Sequence, residues 1–177
     1  VTGSDVDELR VASTLTLTAQ TTGIERIVVG SGTAAVATAV ATAVNINAGL
    51  LNSAVTIVGS TGANTLTGTM YNDTLTGGAG VDTFVVAGGV DTITDLGNGG
   101  ADILTIASGA TANATVMAAW AATAATTNAG ITNIRSNGLG VSLAAVTGGT
   151  VGFNITNFGA ATSLTGSALS DTINGGV

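Results

Sequence analysis

Four residues with oxygen-bearing side chains recur at a spacing of nine: Asn64, Asp73, Asp82 and Asp91. Two positions after each comes a large apolar residue, Leu66, Leu75, Phe84 or Ile93, with Thr65, Thr74, Thr83 or Thr92 between. Nine residues are enough for a tight turn and a short strand whose middle side chain points inward. Two such units close one coil, so turns eighteen residues apart stack: those of 64 and 82 on one side, those of 73 and 91 on the other. One carboxylate per turn then projects toward the neighbouring turn. Stacked carboxylates repel one another unless a cation lies between them. Calcium suits such a corner, because it accepts about six to eight oxygens in flexible geometry, whereas magnesium demands a stricter octahedron and keeps its water. The chain has no His and no Cys, so the usual ligands of transition metals are missing.

The segment Gly77-Gly78-Ala79-Gly80-Val81-Asp82-Thr83-Phe84-Val85 resembles the repeats-in-toxin (RTX) nonapeptide, G-G-x-G-x-D-x-U-x, at every fixed position. The resemblance covers roughly a quarter of the chain. It implies calcium held by turn carbonyls and the motif acid: Gly77, Gly78 and Gly80 with Asp82, then Asp73 and Asp91. For Asp82 the alternative is an Asx-turn, with the carboxylate bonded to backbone N–H groups. Asn64 replaces the acid, so its turn carries less charge, and a corner without an ion is the alternative there. In the turn before Asp73 only the first glycine, Gly68, is kept. Asp95 could ligate or could cap the exit turn. Asp171 lies in a second block, whose site would need residues beyond Val177. The resemblance therefore implies few ions, not a long ladder of them.

Net charge is −7, from ten acids against three Arg, with no Lys. Such a chain offers no basic patch for nucleic acid and is repelled by anionic lipid. Thr, Asn and Gly interrupt every apolar run before it reaches membrane-spanning length, so direct membrane insertion is not expected. Without His, Cys or Lys, a positioned nucleophile and base are hard to assemble, and no enzyme is expected. A carboxylate pair for glycoside cleavage has no support in the spacing.

Ala, Val, Thr, Gly and Asn dominate the chain, as a thin core of small and β-branched side chains with Gly and Asn corners would require. The fold expected is all-β: a right-handed parallel β-helix or β-roll solenoid, with one short helix possible around 111–126. Leu15-Thr16-Leu17-Thr18, Ile24 to Val29, Val55-Thr56-Ile57-Val58 and Val151 to Phe158 read as strands. Thr33 to Val44 suits a helix or a strand, since Val36, Val40 and Val44 lie four apart but also alternate with Ala and Thr. Leu164-Thr165-Gly166, Asp171-Thr172-Ile173 and Gly175-Gly176 repeat Leu66-Thr67-Gly68, Asp73-Thr74-Leu75 and Gly77-Gly78 at an offset of 98. The chain thus divides into a solenoid segment, 1–61, an RTX block, 62–106, a β segment, 107–158, and the start of a further block, 159–177. The acidic cluster Asp5, Asp7 and Glu8 reads as a ligand half-site or a frayed terminus. Glu25 and Arg26 read as a solvated strand face, Asp102 as a turn residue, and Trp120 with Met117 as core or cap anchors.

The alternation of such blocks with Thr/Ala-rich strands also resembles calcium-dependent bacterial S-layer proteins and giant surface proteins. Thr22-Gly23-Ile24-Glu25-Arg26-Ile27 is similar to a G-I-E-x-[VI] step found there. This implies a structural unit of a surface layer or filament, exported by type I secretion, folded by calcium at the bacterial cell surface, and self-associating. Alternatives are an adhesin stalk or binding repeat, and the non-catalytic RTX carrier region of a secreted toxin or hydrolase.

Overall fold

A strict alternation of apolar residues with Thr or Asn buries one face of a strand and leaves the other in water. In the computed structural model of the protein, which describes residues 6–30 and 43–176, these strands stack as three parallel sheets around a solenoid of about eight turns. The main sheet holds nine strands: β1 (Glu8–Val11), β3 (Arg26–Val29), β5 (Thr56–Ser60), β7 (Thr74–Gly78), β9 (Val90–Leu96), β11 (Thr111–Val116), β14 (Ile131–Arg135), β17 (Asn154–Thr156) and β19 (Thr172–Asn174). Opposite it lie β2 (Leu15–Thr16), β4 (Ile46–Asn47), β6 (Thr65–Thr67), β8 (Thr83–Val86), β10 (Ile103–Ile106), β13 (Thr127–Asn128) and β16 (Gly148–Gly149). A third sheet, β12 (Trp120–Ala121), β15 (Val141–Ser142) and β18 (Leu164–Thr165), joins them in the later coils.

Register aligns the inward residues into columns. Leu9, Ile27, Ile57, Leu75, Ile93, Ala114, Ile134, Ile155 and Ile173 occupy successive rungs of the main sheet. Leu15, Ile46, Leu66, Phe84 and Leu104 form the facing column. The expected division of the four motif apolars holds: Leu75 and Ile93 fall on one wall, Leu66 and Phe84 on the other. All four are fully buried, and each such burial is worth about 1.5–3 kcal/mol. Because the period is two, a slip of one residue would turn a whole column to solvent, which fixes the register.

Coils built from two nonapeptides are eighteen residues long, as the bonded pair Thr76 and Thr94 marks. Later coils lengthen to twenty and twenty-one residues, as the outward Asn113, Asn133 and Asn154 show. Their amides bond in a ladder at 2.9 and 3.0 Å. The added residues form the third side.

No helix is found among the described residues, and the one expected around 111–126 is corrected. Thr111–Val116 is a strand. Ala112, Ala114 and Val116 face inward, while Thr111, Asn113 and Thr115 face outward. Pairing with β9 and β14 on its two sides outweighs the helix preference of Ala. Trp120 is an interior anchor as expected, with its indole N–H donating to the Asp102 carbonyl at 3.0 Å. Met117 is not: it is 60% exposed. Val36 and Val40 of the 33–44 segment lie outside the described residues, as does Asp5, while Val44 is buried.

Thr132, paired in register with Ala112, buries its hydroxyl without a hydrogen bond. Thr132→Val keeps the shape and removes the stranded polar atom. It is expected to stabilise the protein by about 1–2 kcal/mol, read as a higher denaturation midpoint with unchanged slope.

Candidate metal centre

The corner acids sit just before the inward strands and reach back one coil. Asp82 Oδ1 accepts the Asn64 N–H at 2.8 Å, and Asp102 Oδ1 accepts the Asp82 N–H at 2.8 Å. On the other side Asp73 Oδ1 accepts the Val55 N–H and Asp91 Oδ1 the Asp73 N–H, each at 2.9 Å. Asp171 does the same for Phe153, and Glu25 for Asp7, each at 2.8 Å. The regular ladder then starts one residue later, where the Thr83 N–H meets the Asn64 carbonyl and the Thr92 N–H the Asp73 carbonyl. Each acid thus closes the backbone position at which strand pairing has not yet begun.

The second oxygen separates the corners into two kinds. Asp73 Oδ2 accepts the Thr69 N–H and lies 3.1 Å from the Thr69 hydroxyl, which also bonds Oδ1 at 2.9 Å. Asp171 takes the N–H and hydroxyl of Ser167 in the same way. Asn64 Oδ1 takes those of Ser60, while its Nδ2 donates to the Val44 carbonyl at 2.7 Å. Asp102 Oδ2 accepts the Gly97 N–H at 2.7 Å. By contrast, Asp82 Oδ2 and Asp91 Oδ2 are buried with no hydrogen-bond partner, on residues only 1% and 0% exposed.

The surrounding turns are close-packed backbone. A Cβ on Gly77 would strike the Asp82 carboxylate, and one on Gly68 would lie 2.6 Å from Asp73 Oδ2 and 3.1 Å from Asp91 Oδ2. Gly80 adopts φ +109° and stacks directly on Gly62 of the coil before, so it must lack a side chain for both reasons. Asp95 binds the turn from above: its two oxygens accept the N–H groups of Gly77 and Gly78 at 2.9 and 2.8 Å. The Gly78 carbonyl accepts from Asn98 Nδ2 at 2.8 Å.

Burial pushes the Asp82 carboxyl up to about 7; its bond from the Asn64 N–H offsets part of this, and the charges of Asp102 and Asp95 add to it. Asp91 is likewise pushed to about 7, by burial and then by the neighbouring Asp73 charge, against the bond from the Asp73 N–H. Asp102 rises to about 6, chiefly through burial. Burial also raises Asp73 and Asp95, against several hydrogen bonds that favour their ionised forms. Buried, electron-rich and short of positive partners, these corners suit a hard cation. Among the described residues no three acidic side chains converge on one point, so a cation here would draw most of its ligands from turn carbonyls.

The structure gathers Gly77, Gly78, Gly80, Asp82 and Asp95 at one corner and Asp73 with Asp91 at the other. Asn64 joins the Asp82 stack through its N–H, but its side chain is closed by Ser60; Asp171 stands apart, closed by Ser167. Asp102, read from the sequence as a turn residue, also completes the Asp82 stack. Glu25 is exposed, as expected for a solvated face, yet it holds Asp7 across one coil. Ser60, Thr69 and Ser167 were not singled out in the sequence; the signal was a Gly-[Ser/Thr] pair at a fixed distance before the corner residue. Arg26 pairs with Glu8 at 3.2 Å, and Glu8 with Arg10 at 2.6 Å.

No curated protein and no solved structure matches the chain. Residues 58–93 match the family model of the RTX calcium-binding nonapeptide repeat, in four copies. The stretch that builds both stacks of corner acids is thus a block of RTX calcium-binding nonapeptide repeats, and the chain carries that family's repeat in a parallel β-solenoid.

Proposed function

We propose that this chain is a structural unit of a bacterial surface layer or filament, folded outside the cell by calcium held at its RTX corners. The observation that carries this reading is the pair of stranded oxygens, Asp82 Oδ2 and Asp91 Oδ2, buried inside a repeat whose family binds calcium. Asp82 would hold the ion with carbonyls of the Gly77–Gly80 turn. Asp91 would do so against the Gly68–Asp73 turn, which its free oxygen faces. Asp95 fixes the first turn by its bonds to Gly77 and Gly78, and Asp73 fixes the second. Calcium supplies there the positive charge that the backbone donors do not.

Ligands that bind only the folded chain stabilise it by linkage. Extracellular calcium therefore favours the folded form, and scarcity inside the cell favours an export-ready chain. A coil left uncovered exposes unpaired strand edges, and a second copy stacked on it would pair them.

The test is a calcium chloride titration followed by circular dichroism and light scattering. β signal should rise with calcium, and particle mass should rise with it. An unchanged β signal and melting temperature would remove the calcium-folding reading. A folded monomer at saturating calcium would remove the layer or filament and leave the metal centre.

A further inference from the structure

The three corners closed by a hydroxyl are built alike. Ser60, Thr69 and Ser167 each stand four residues before the corner residue, Asn64, Asp73 and Asp171. In each, the backbone N–H and the hydroxyl both bond the corner side chain. The same hydroxyl accepts the N–H two residues on, from Gly62 at 3.2 Å, Tyr71 at 2.9 Å and Leu169 at 3.1 Å. A glycine precedes each hydroxyl residue and gives the side chain its room: Gly59, Gly68 and Gly166 would each place a Cβ 2.6–2.7 Å from the corner oxygen. Four residues before Asp82 stands Gly78, and before Asp91 stands Ala87. Neither offers a hydroxyl, and these are the acids whose second oxygen is stranded.

We propose that Ser60, Thr69 and Ser167 are built-in substitutes for a cation, and that the residue four before the acid decides whether an RTX corner takes calcium. A hydroxyl with its own N–H presents two donors to the corner oxygens, which satisfies them without an ion. Gly or Ala there leaves an acceptor bare, open to an added cation. Not every copy of the repeat is then a metal site. Among the described corners only those of Asp82 and Asp91 take calcium, two ions per chain, while the hydroxyl-closed corners hold the solenoid together without one. The closed corners bracket the open pair along the chain, so the ion-free protein keeps pre-shaped coils on which calcium-dependent ones can build. This assignment rests on the calcium reading above.

Isothermal titration with calcium chloride, together with thermal melts in calcium-free and calcium-containing buffer, tests it on three variants. Wild type should bind two ions. Ala87→Ser, which adds one oxygen four before Asp91, should bind one ion and melt higher than wild type in calcium-free buffer. Thr69→Ala removes a lock: its ion-free melting temperature should fall by about 2–4 °C, and its gain from calcium should exceed that of wild type. Thr69→Ser keeps the hydroxyl and should behave as wild type, which a merely steric role for the threonine methyl would not predict. A wild type that binds no calcium would overturn the calcium reading and this assignment with it. If wild type binds two ions but Ala87→Ser also binds two, and Thr69→Ala matches Thr69→Ser, calcium binding survives and the hydroxyl rule is overturned.

Discussion

In calcium-free buffer the protein should lose stability steadily as pH rises from about 4 to about 7, and calcium should reverse the trend. Burial holds Asp82 and Asp91 near 7 in the fold, against an ordinary carboxylate value of 3.8. The folded chain therefore keeps protons that the unfolded chain has already released. A raised acid stabilises the fold below its unfolded value, and that contribution is lost on the way up to its folded value. Asp102, pushed to about 6, acts in the same direction over a narrower window. Asp73 and Asp95 are raised as well. Each of the two most shifted acids contributes on the order of a few kcal/mol. Calcium takes the ionised form, so its stabilisation must grow as the protons leave. Melts at pH 4.5, 6 and 7.5, with calcium and without, should show the two curves diverging with pH. General repulsion in a chain of charge −7 has the same sign. The double variant Asp82→Asn, Asp91→Asn separates the two: it lowers the charge by only two, yet it should flatten most of the ion-free slope and abolish the calcium effect. An ion-free wild type at least as stable at pH 7.5 as at pH 4.5 would contradict the placement of these carboxyls.

What the sequence announces and what it conceals divide along a physical line. A nonapeptide repeat must place one large apolar side chain inward per strand, so Leu66, Leu75, Phe84 and Ile93 show the coil directly, down to which pair shares a wall. Just past the repeat, from Thr92 to Asn154, the coil lengthens to twenty or twenty-one residues, and no fixed spacing marks it. Thr111–Val116 then has only local preference to be read by, and Ala favours a helix until strands on both sides are present. Of the candidate site, the acids were legible because a motif counts them. Their satisfaction was not, since it depends on whether the second carboxylate oxygen meets a hydroxyl, a backbone N–H or nothing. Asp73 and Asp82 occupy the same motif position, yet the second oxygen of Asp73 meets Thr69 and that of Asp82 meets nothing. Asp102 escaped the nine-residue frame because its coil is twenty residues long, yet it bonds Asp82 as Asp82 bonds Asn64. Glu25 escaped because its side chain is longer and it stands outside the run of corner residues spaced nine apart.

Phe84→Ala should be among the most damaging single changes in the chain. Its ring is fully buried between Leu66 and Leu104, on a wall one side chain deep. Truncating a buried Phe costs about 3–5 kcal/mol, and a thin core has few neighbours able to collapse into the space. The consequence in a solenoid is more than a lower midpoint. Coils touch only the coils next to them, so cooperativity passes along the stack through each interface in turn. Phe84 serves two such interfaces, and the Asp82 corner hangs from the start of the same strand. The protein carries one Tyr and one Trp, Tyr71 on the turn of the coil before and the buried Trp120 in the coil after. Tyr71 reports the earlier coils and Trp120 the later ones. In wild type their transitions should coincide. In Phe84→Ala they should separate, with calcium raising the Tyr71 transition less than it does in wild type, because the Asp82 corner has lost its support. Val81→Ala, three residues away on an exposed side chain, should leave both transitions where they were. If Phe84→Ala melts with wild-type midpoint and coincident signals, the stacked apolar columns are not what joins the coils.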